Sequence, residues 1–214
     1  MHKTSTSSIL VITMLMFSVL VTPAHASGPQ SAQAALPNPG TIVPVPAGKY
    51  ATYSQGPHLS GFGMGYITNR GQLTSSIDLG YSGTVVAPIS GKVMIAKNCG
   101  DHQIVFINAT RGADGYGWSI GLTHIWVDVN LEGKTVTRGQ VIGRTVKPLP
   151  YPGKGCGYGY GMHIHYTLMK WKMVWNGPVF SEQNIVNTYL GPWIVKNTYL
   201  DGSRYDIQLG QLIK

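Results

Sequence analysis

Acidic side chains are scarce in this chain. Asp and Glu number 8 against 16 Lys and Arg, so the formal net charge is +8 although charged residues make up only 11% of the 214 residues. That balance favours anionic partners. A clustered basic run and a recognisable nucleic-acid-reading motif are both missing, so nucleic acid is not expected among them. Cysteine is limited to Cys99 and Cys156; an oxidising compartment permits a bridge between them, and the other reading is two separate buried thiols. Beyond the N-terminus no apolar run has the roughly 20 residues a spanning helix needs, so no stable membrane insertion is expected of a processed chain. There is no internal repeat, no long stretch of helical periodicity and no His-Glu-x-x-His, which excludes the helical zinc-peptidase arrangement built on that motif.

Residues 1–26 run from Lys3 through the apolar Ile9-Leu10-Val11-Ile12 to Ala24-His25-Ala26, a small-x-small cleavage pattern. They are read as a signal peptide, and the protein as secreted; a retained anchor is the alternative. Residues 27–48 hold five prolines among small residues and are expected to be a linker or lead-in. One domain follows, over 49–214.

Within it, short β-branched or aromatic runs alternate with glycine: Gly83 to Val86, Gly91 to Ile95, Gln103 to Ile107, Ser119 to Val129 and Gln140 to Gly143. These are strand signals. With 28 glycines in the chain they point to a mainly β fold, an antiparallel sandwich or barrel-like core with glycine-rich loops and at most one short helix, placed at Ser181 to Tyr189. Gly133 to Gly143 is expected to be a hairpin turning at Thr137 to Gln140. Such glycine-paired hairpins also occur in lipoyl and biotinyl carrier domains, but no modifiable tip lysine is marked here.

Five histidines lie beyond residue 26: His58, His102, His124, His163 and His165. In a strand, His163 and His165 project from the same face, which suits one zinc ligand beside one proton-handling group. A hydrolytic zinc site commonly takes three protein ligands and leaves a fourth position for water. Asp78 sits alone among apolar and small residues, where a buried carboxylate without a partner is costly; ligation would resolve that cost, and so would a turn or capping role. His102 fits no such task and is taken as a surface or strand histidine. The tyrosine- and glycine-rich stretch Tyr151 to Gly161 either walls an open groove suited to a thin, small-residue peptide or is a flexible loop packing its tyrosines on the core.

The ordered set Ser75-Ser76-Ile77-Asp78, Leu122-Thr123-His124 and Gly161-Met162-His163-Ile164-His165-Tyr166, with Gly139-Gln140-Val141-Ile142-Gly143 between the last two, resembles the lysostaphin-type family of zinc metallopeptidases, from about His58 to the C-terminal region. Most members place their first histidine ligand where this chain has Thr74. The beta-lytic and staphylolysin-like branch is more similar, with a Ser-Ser-x-Asp motif and a first histidine drawn from farther upstream, and His58 then matches. The resemblance implies Zn2+ held by His58, Asp78 and His165, with His124 and His163 handling protons, Tyr205 supporting the oxyanion, and a Cys99–Cys156 disulfide. Thr123 stands where the family has a tyrosine. The implied activity is that of a secreted, monomeric zinc endopeptidase acting on bacterial peptidoglycan stem peptides or cross-bridges. The alternative is a catalytically inactive wall-binding or amidase-activating relative in which Thr74 marks loss of a ligand.

Overall fold

The computed structural model describes residues 39–62, 67–69, 74–148, 156–157 and 159–195. Among them are thirteen strands and one turn of 3-10 helix, Val129–Leu131, and no α-helix. The strands are Thr52–His58 (β1), Ile67–Asn69 (β2), Ser76–Gly80 (β3), Thr84–Val86 (β4), Gly91–Asn98 (β5), Gln103–Asn108 (β6), Gly117–Val127 (β7), Thr135–Val136 (β8), Val141–Thr145 (β9), His163–Val174 (β10), Gly177–Glu182 (β11), Tyr189–Leu190 (β12) and Trp193–Ile194 (β13). The expected mainly β, antiparallel architecture is what forms. No helix among the described residues is long and apolar enough to cross a membrane.

Eleven strands join in one sheet whose main path runs β1-β3-β10-β7-β6-β5-β8. It forks twice. β10 pairs with β3 through His163 to Thr167 and with β11 through Met169 to Val174, while β7 pairs with β9 through Ile125 to Val127. The pairings are antiparallel except that of β11 with β2. The larger apolar cluster draws side chains from nine of these strands, so the sheet wraps around it in the barrel-like manner expected.

Alternation along the central strands assigns the two faces. Ile77 and Leu79 of β3, Val105 and Ile107 of β6, Ile120 and Leu122 of β7, and Ile164, Tyr166 and Leu168 of β10 enter the larger core. The intervening residues face the other way, where Ile104, Phe106, Met169, Phe180, Cys156 and Phe62 make a smaller cluster. Gly121 makes room for it, because a Cβ there would lie 2.7 Å from the Phe62 ring.

Two local expectations change. Residues 181–189 form no helix: Ser181 and Glu182 complete β11, the Asn184 side chain accepts from the Val186 amide, and Asn187 takes φ 65°. Asn184 thus satisfies locally a donor that a helix would have used. The turn at Thr137 to Gln140 is present, with the Gln140 amide donating to the Thr137 carbonyl, but β8 pairs with β5 while β9 pairs with β4 and β7, so no hairpin forms. Within the proline-rich segment, Ile42 donates to Pro88 O, Pro44 O accepts from Val86, and Val43 and Val45 pack against the larger core. Residues 1–26 lie outside the described residues.

Cys99 and Cys156 are joined. Tethering residues 57 apart in sequence stabilises by about 4 kcal/mol in the chain-entropy account.

Candidate metal centre

Asp78 and His165 sit opposite each other in the β3–β10 register, on the face turned away from the larger core. Their cross-strand pairing brings Asp78 Oδ1 and His165 Nδ1 to 2.9 Å. His58 ends β1, whose pairing with β3 slips twice before His58 meets Ser76. Its Nε2 lies 3.3 Å from His165 Nδ1 and 3.5 Å from Asp78 Oδ1. Three donor atoms thus form a triangle with edges of 2.9, 3.3 and 3.5 Å. Zinc bonds of about 2.0–2.2 Å in a tetrahedral site space neighbouring donors about 3.3 Å apart. The triangle fits that ion.

The outer partners agree. His58 Nδ1–H donates to the Gly56 carbonyl at 2.7 Å, which fixes the tautomer and leaves the Nε2 lone pair facing the triangle. Burial would raise the Asp78 carboxyl, but hydrogen bonds and charge from His165 and His58 outweigh it and hold it well below the usual carboxylate range. Burial conversely pulls His58 down, and Asp78 with the Gly56 carbonyl more than restores it, so its value ends raised. Asp78 is therefore an ionised acceptor in a nearly enclosed place, 7% exposed.

His163 stands two residues before His165 with Nε2 3.7 Å from Asp78 Oδ2, and its Nδ1 donates to the Gly161 carbonyl at 3.2 Å. His124 reaches the same place by an irregularity in β7. Gln103 faces Ile125 while Val105 faces Leu122, so β7 carries one residue more than β6 between those pairs, and His124 takes φ 59°. This is a β-bulge with a non-glycine residue in the left-handed region, a strain that aims its side chain at the site. The His124 and His163 rings lie 4.5 Å apart, edge to face. Burial, helped by the neighbouring His163 and His165, pushes the His124 imidazole down to about 3, so it is neutral near pH 7.

These groups open onto a groove of about 510 Å³ lined also by Phe62, Ile104, Thr123 and Tyr160. Gly157 and Gly159 lie directly on the imidazoles: a Cβ at Gly159 would be 2.5 Å from His163 Cε1, and one at Gly157 3.1 Å from His124 Cε1. The adjoining Cys156 anchors this strap to Cys99. Of the stretch Tyr151 to Gly161, the described Gly157, Gly159 and Tyr160 therefore wall the groove.

The chain is structurally similar to M23 metalloproteases. Pseudoalterin, an M23 metalloprotease from the deep sea, matches with 21% identity over 72% of this chain and 79% of its own, at a TM-score of 0.48. The catalytic domain of the antimicrobial peptidase lysostaphin from Staphylococcus simulans matches with 22% identity over 57% and 79%, at 0.35. The SpoIIIAH–SpoIIQ complex matches with 19% identity over 67% and 96%, at 0.41. No family model and no curated protein sequence matches the chain.

The structure thus brings together His58, Asp78 and His165 with His124 and His163 beside them. Tyr205 lies outside the described residues. His102 is not a surface histidine: it is 3% exposed, with its ring nitrogens on the Asp101 carboxylate and the Lys147 carbonyl. Thr74 is structural, its hydroxyl donating to Asn184 Oδ1 and its carbonyl accepting from Ile185 N.

The sequence reading missed a support beneath the centre. Glu182, 2% exposed, accepts from Ser75 Oγ at 2.9 Å and from Ser60 Oγ, tying the turn after His58 to the strand that carries Asp78. The only signal was a lone glutamate ending an otherwise apolar and small strand.

Proposed function

We propose that the chain is a zinc endopeptidase that hydrolyses peptide bonds in bacterial peptidoglycan stem peptides or cross-bridges. The observation that carries this reading is the triangle of His58, Asp78 and His165 donors, spaced for a tetrahedral ion and open to a groove beside two further imidazoles. Zinc held there would supply a Lewis acid and a water of lowered pKa. The residues around it handle the protons and the substrate. His163, its Nδ1–H committed to Gly161, presents Nε2 as the base that takes a proton as water attacks the peptide carbonyl. The same proton then goes to the leaving amine as the C–N bond breaks. His124, neutral and fixed by the bulge, presents a ring N–H toward the developing oxyanion. Tyr205 is assigned to the oxyanion from the sequence resemblance alone. Gly157 and Gly159 bring bare backbone against the imidazoles on that side of the groove, which favours a thin peptide of small residues.

Export, one copy per active unit and the choice of peptidoglycan over nucleic acid belong to the same proposal; they rest on the N-terminal pattern, the net charge of +8 and the family resemblance. The test is zinc stoichiometry beside hydrolysis of purified walls and defined glycine- and alanine-containing peptides. The expected result is one zinc per chain, lost with hydrolysis in His58→Ala and Asp78→Ala. Zinc retained in His58→Ala would remove that ligand from the reading, and no zinc in the parent would replace the enzyme with the wall-binding alternative.

A further inference from the structure

The far half of β10 leaves the body of the protein. From His163 to Met169 the strand is buried, from Lys170 to Lys172 half-buried, and at Met173 and Val174 exposed. It turns back into β11 through Trp175 and Asn176, with Val174 facing Gly177. Trp175 is 100% exposed, Met173 49% and Val174 39%. Soluble surfaces expose single apolar residues freely, but three in succession at a projecting tip, one a wholly solvated indole, mark an interaction site.

Behind the tip lies a belt of different chemistry. The Lys170 ammonium stands 5.3 Å from the Trp118 ring, Lys172 stands 5.1 Å from Tyr116, and the Arg111 guanidinium 5.7 Å from Trp171. Three cations are thus interleaved with aromatic rings along the Lys170 to Lys172 stretch, on both faces of the sheet. One carboxylate, Asp114, lies in the adjoining turn, where it accepts from the Tyr116 amide. Along its length the hairpin therefore passes from buried core, through aromatic rings with cations, to an apolar point.

We propose that this hairpin docks the protein peripherally on an anionic phospholipid surface, independently of the metal centre. A carbohydrate chain would use stacking rings flanked by several hydrogen-bonding side chains, whereas here Asn176 is the one amide at the tip and indole, thioether and isopropyl make up the rest of its exposed surface. The ordering matches a bilayer interface, where Trp and Tyr settle among the headgroups, Lys and Arg meet phosphates, and apolar groups enter the acyl boundary. The dimensions agree: Trp175 comes three positions after Lys172, at most about 10 Å at a strand rise of about 3.4 Å per residue, against an interfacial depth of about 5–10 Å.

The experiment is binding of the chain, as isolated from its producing cell, to phosphatidylcholine vesicles with and without phosphatidylglycerol, read by sedimentation and by tryptophan emission. The wild type is expected to prefer the anionic vesicles, with a blue shift and quenching by brominated acyl chains. Trp175→Ser should abolish the shift and weaken binding about tenfold or more. Lys170→Gln with Lys172→Gln should weaken it about 25-fold, roughly fivefold per cation, and added salt should do the same to the wild type. Comparing variants in one chain background cancels any contribution from the N-terminal segment, and unchanged far-ultraviolet dichroism shows that the tip variants fold. The proposal is overturned if both vesicle types bind alike, if the variants bind as the wild type does, if the hairpin engages an anionic wall polymer and no vesicle, or if Trp175→Ser instead abolishes self-association.

Discussion

On β10, Ile164, Tyr166 and Leu168 point into the larger apolar cluster, and His163 and His165 point away from it toward the groove. The same division runs through β3, where Ile77 and Leu79 face one way and Ser76 and Asp78 the other. Both faces are almost wholly buried, yet they are buried for opposite reasons. The first excludes water from hydrocarbon, and its side chains are interchangeable with others of the same shape. The second holds a carboxylate and four imidazoles that only their mutual contacts and the Glu182 support make tolerable. Each face can therefore be damaged with little effect on the other.

Leu168→Ala strikes the apolar face. Leu168 is fully buried, and removing its side chain is expected to cost about 3 kcal/mol in urea unfolding while the folded fraction still takes up one zinc. Loss of zinc at full folding would mean the two faces are not separable. Gly159→Ala strikes the other side. Its Cβ would meet His163 and displace the imidazole, so hydrolysis should fall about 100-fold with zinc content intact and stability changed by less than about 1 kcal/mol. A stability loss equal to that of Leu168→Ala would make the strap part of the core.

Asp101→Asn touches neither face and serves as the control. A hydrogen bond from His102 outweighs the opposing effect of burial and, with the His102 charge adding to it, holds the Asp101 carboxyl below its ordinary value. A depressed carboxylate pKa stabilises above the unfolded value of about 3.9, and that contribution disappears as pH falls through the folded value. Because Asp101 is mostly exposed, the variant should be less stable at pH 7 by under about 1 kcal/mol, and the difference should vanish in acid. Thermal unfolding across that pH range checks the sign.

His163 and His165 were legible because alternation in a strand is a local property that the sequence displays, and Asp78 because a lone carboxylate among apolar and small residues stands out. His58 was not legible from periodicity: two slips in the β1–β3 register carry it to the centre, and only the ordered motifs pointed there. Glu182 was invisible because what makes it matter is Ser60 and Ser75, over one hundred residues away in sequence. The misplaced helix at 181–189 has the same origin, since residues of middling helix propensity were claimed by long-range pairing with β10 and by the Asn184 side chain. The strands themselves came through, bounded by glycines whose turns are local.

The bulge in β7 works as a change of reading frame. Before it, the even-numbered Ile120 and Leu122 enter the apolar cluster; after it, the odd-numbered Ile125 and Val127 do. One inserted residue lets a single strand spell hydrocarbon on both sides of a word of different meaning, His124. A lineage that deleted one residue here would restore an unbroken frame and a more regular strand, and in doing so would take the histidine out of the groove, so the irregularity itself is a heritable part of the site's geometry.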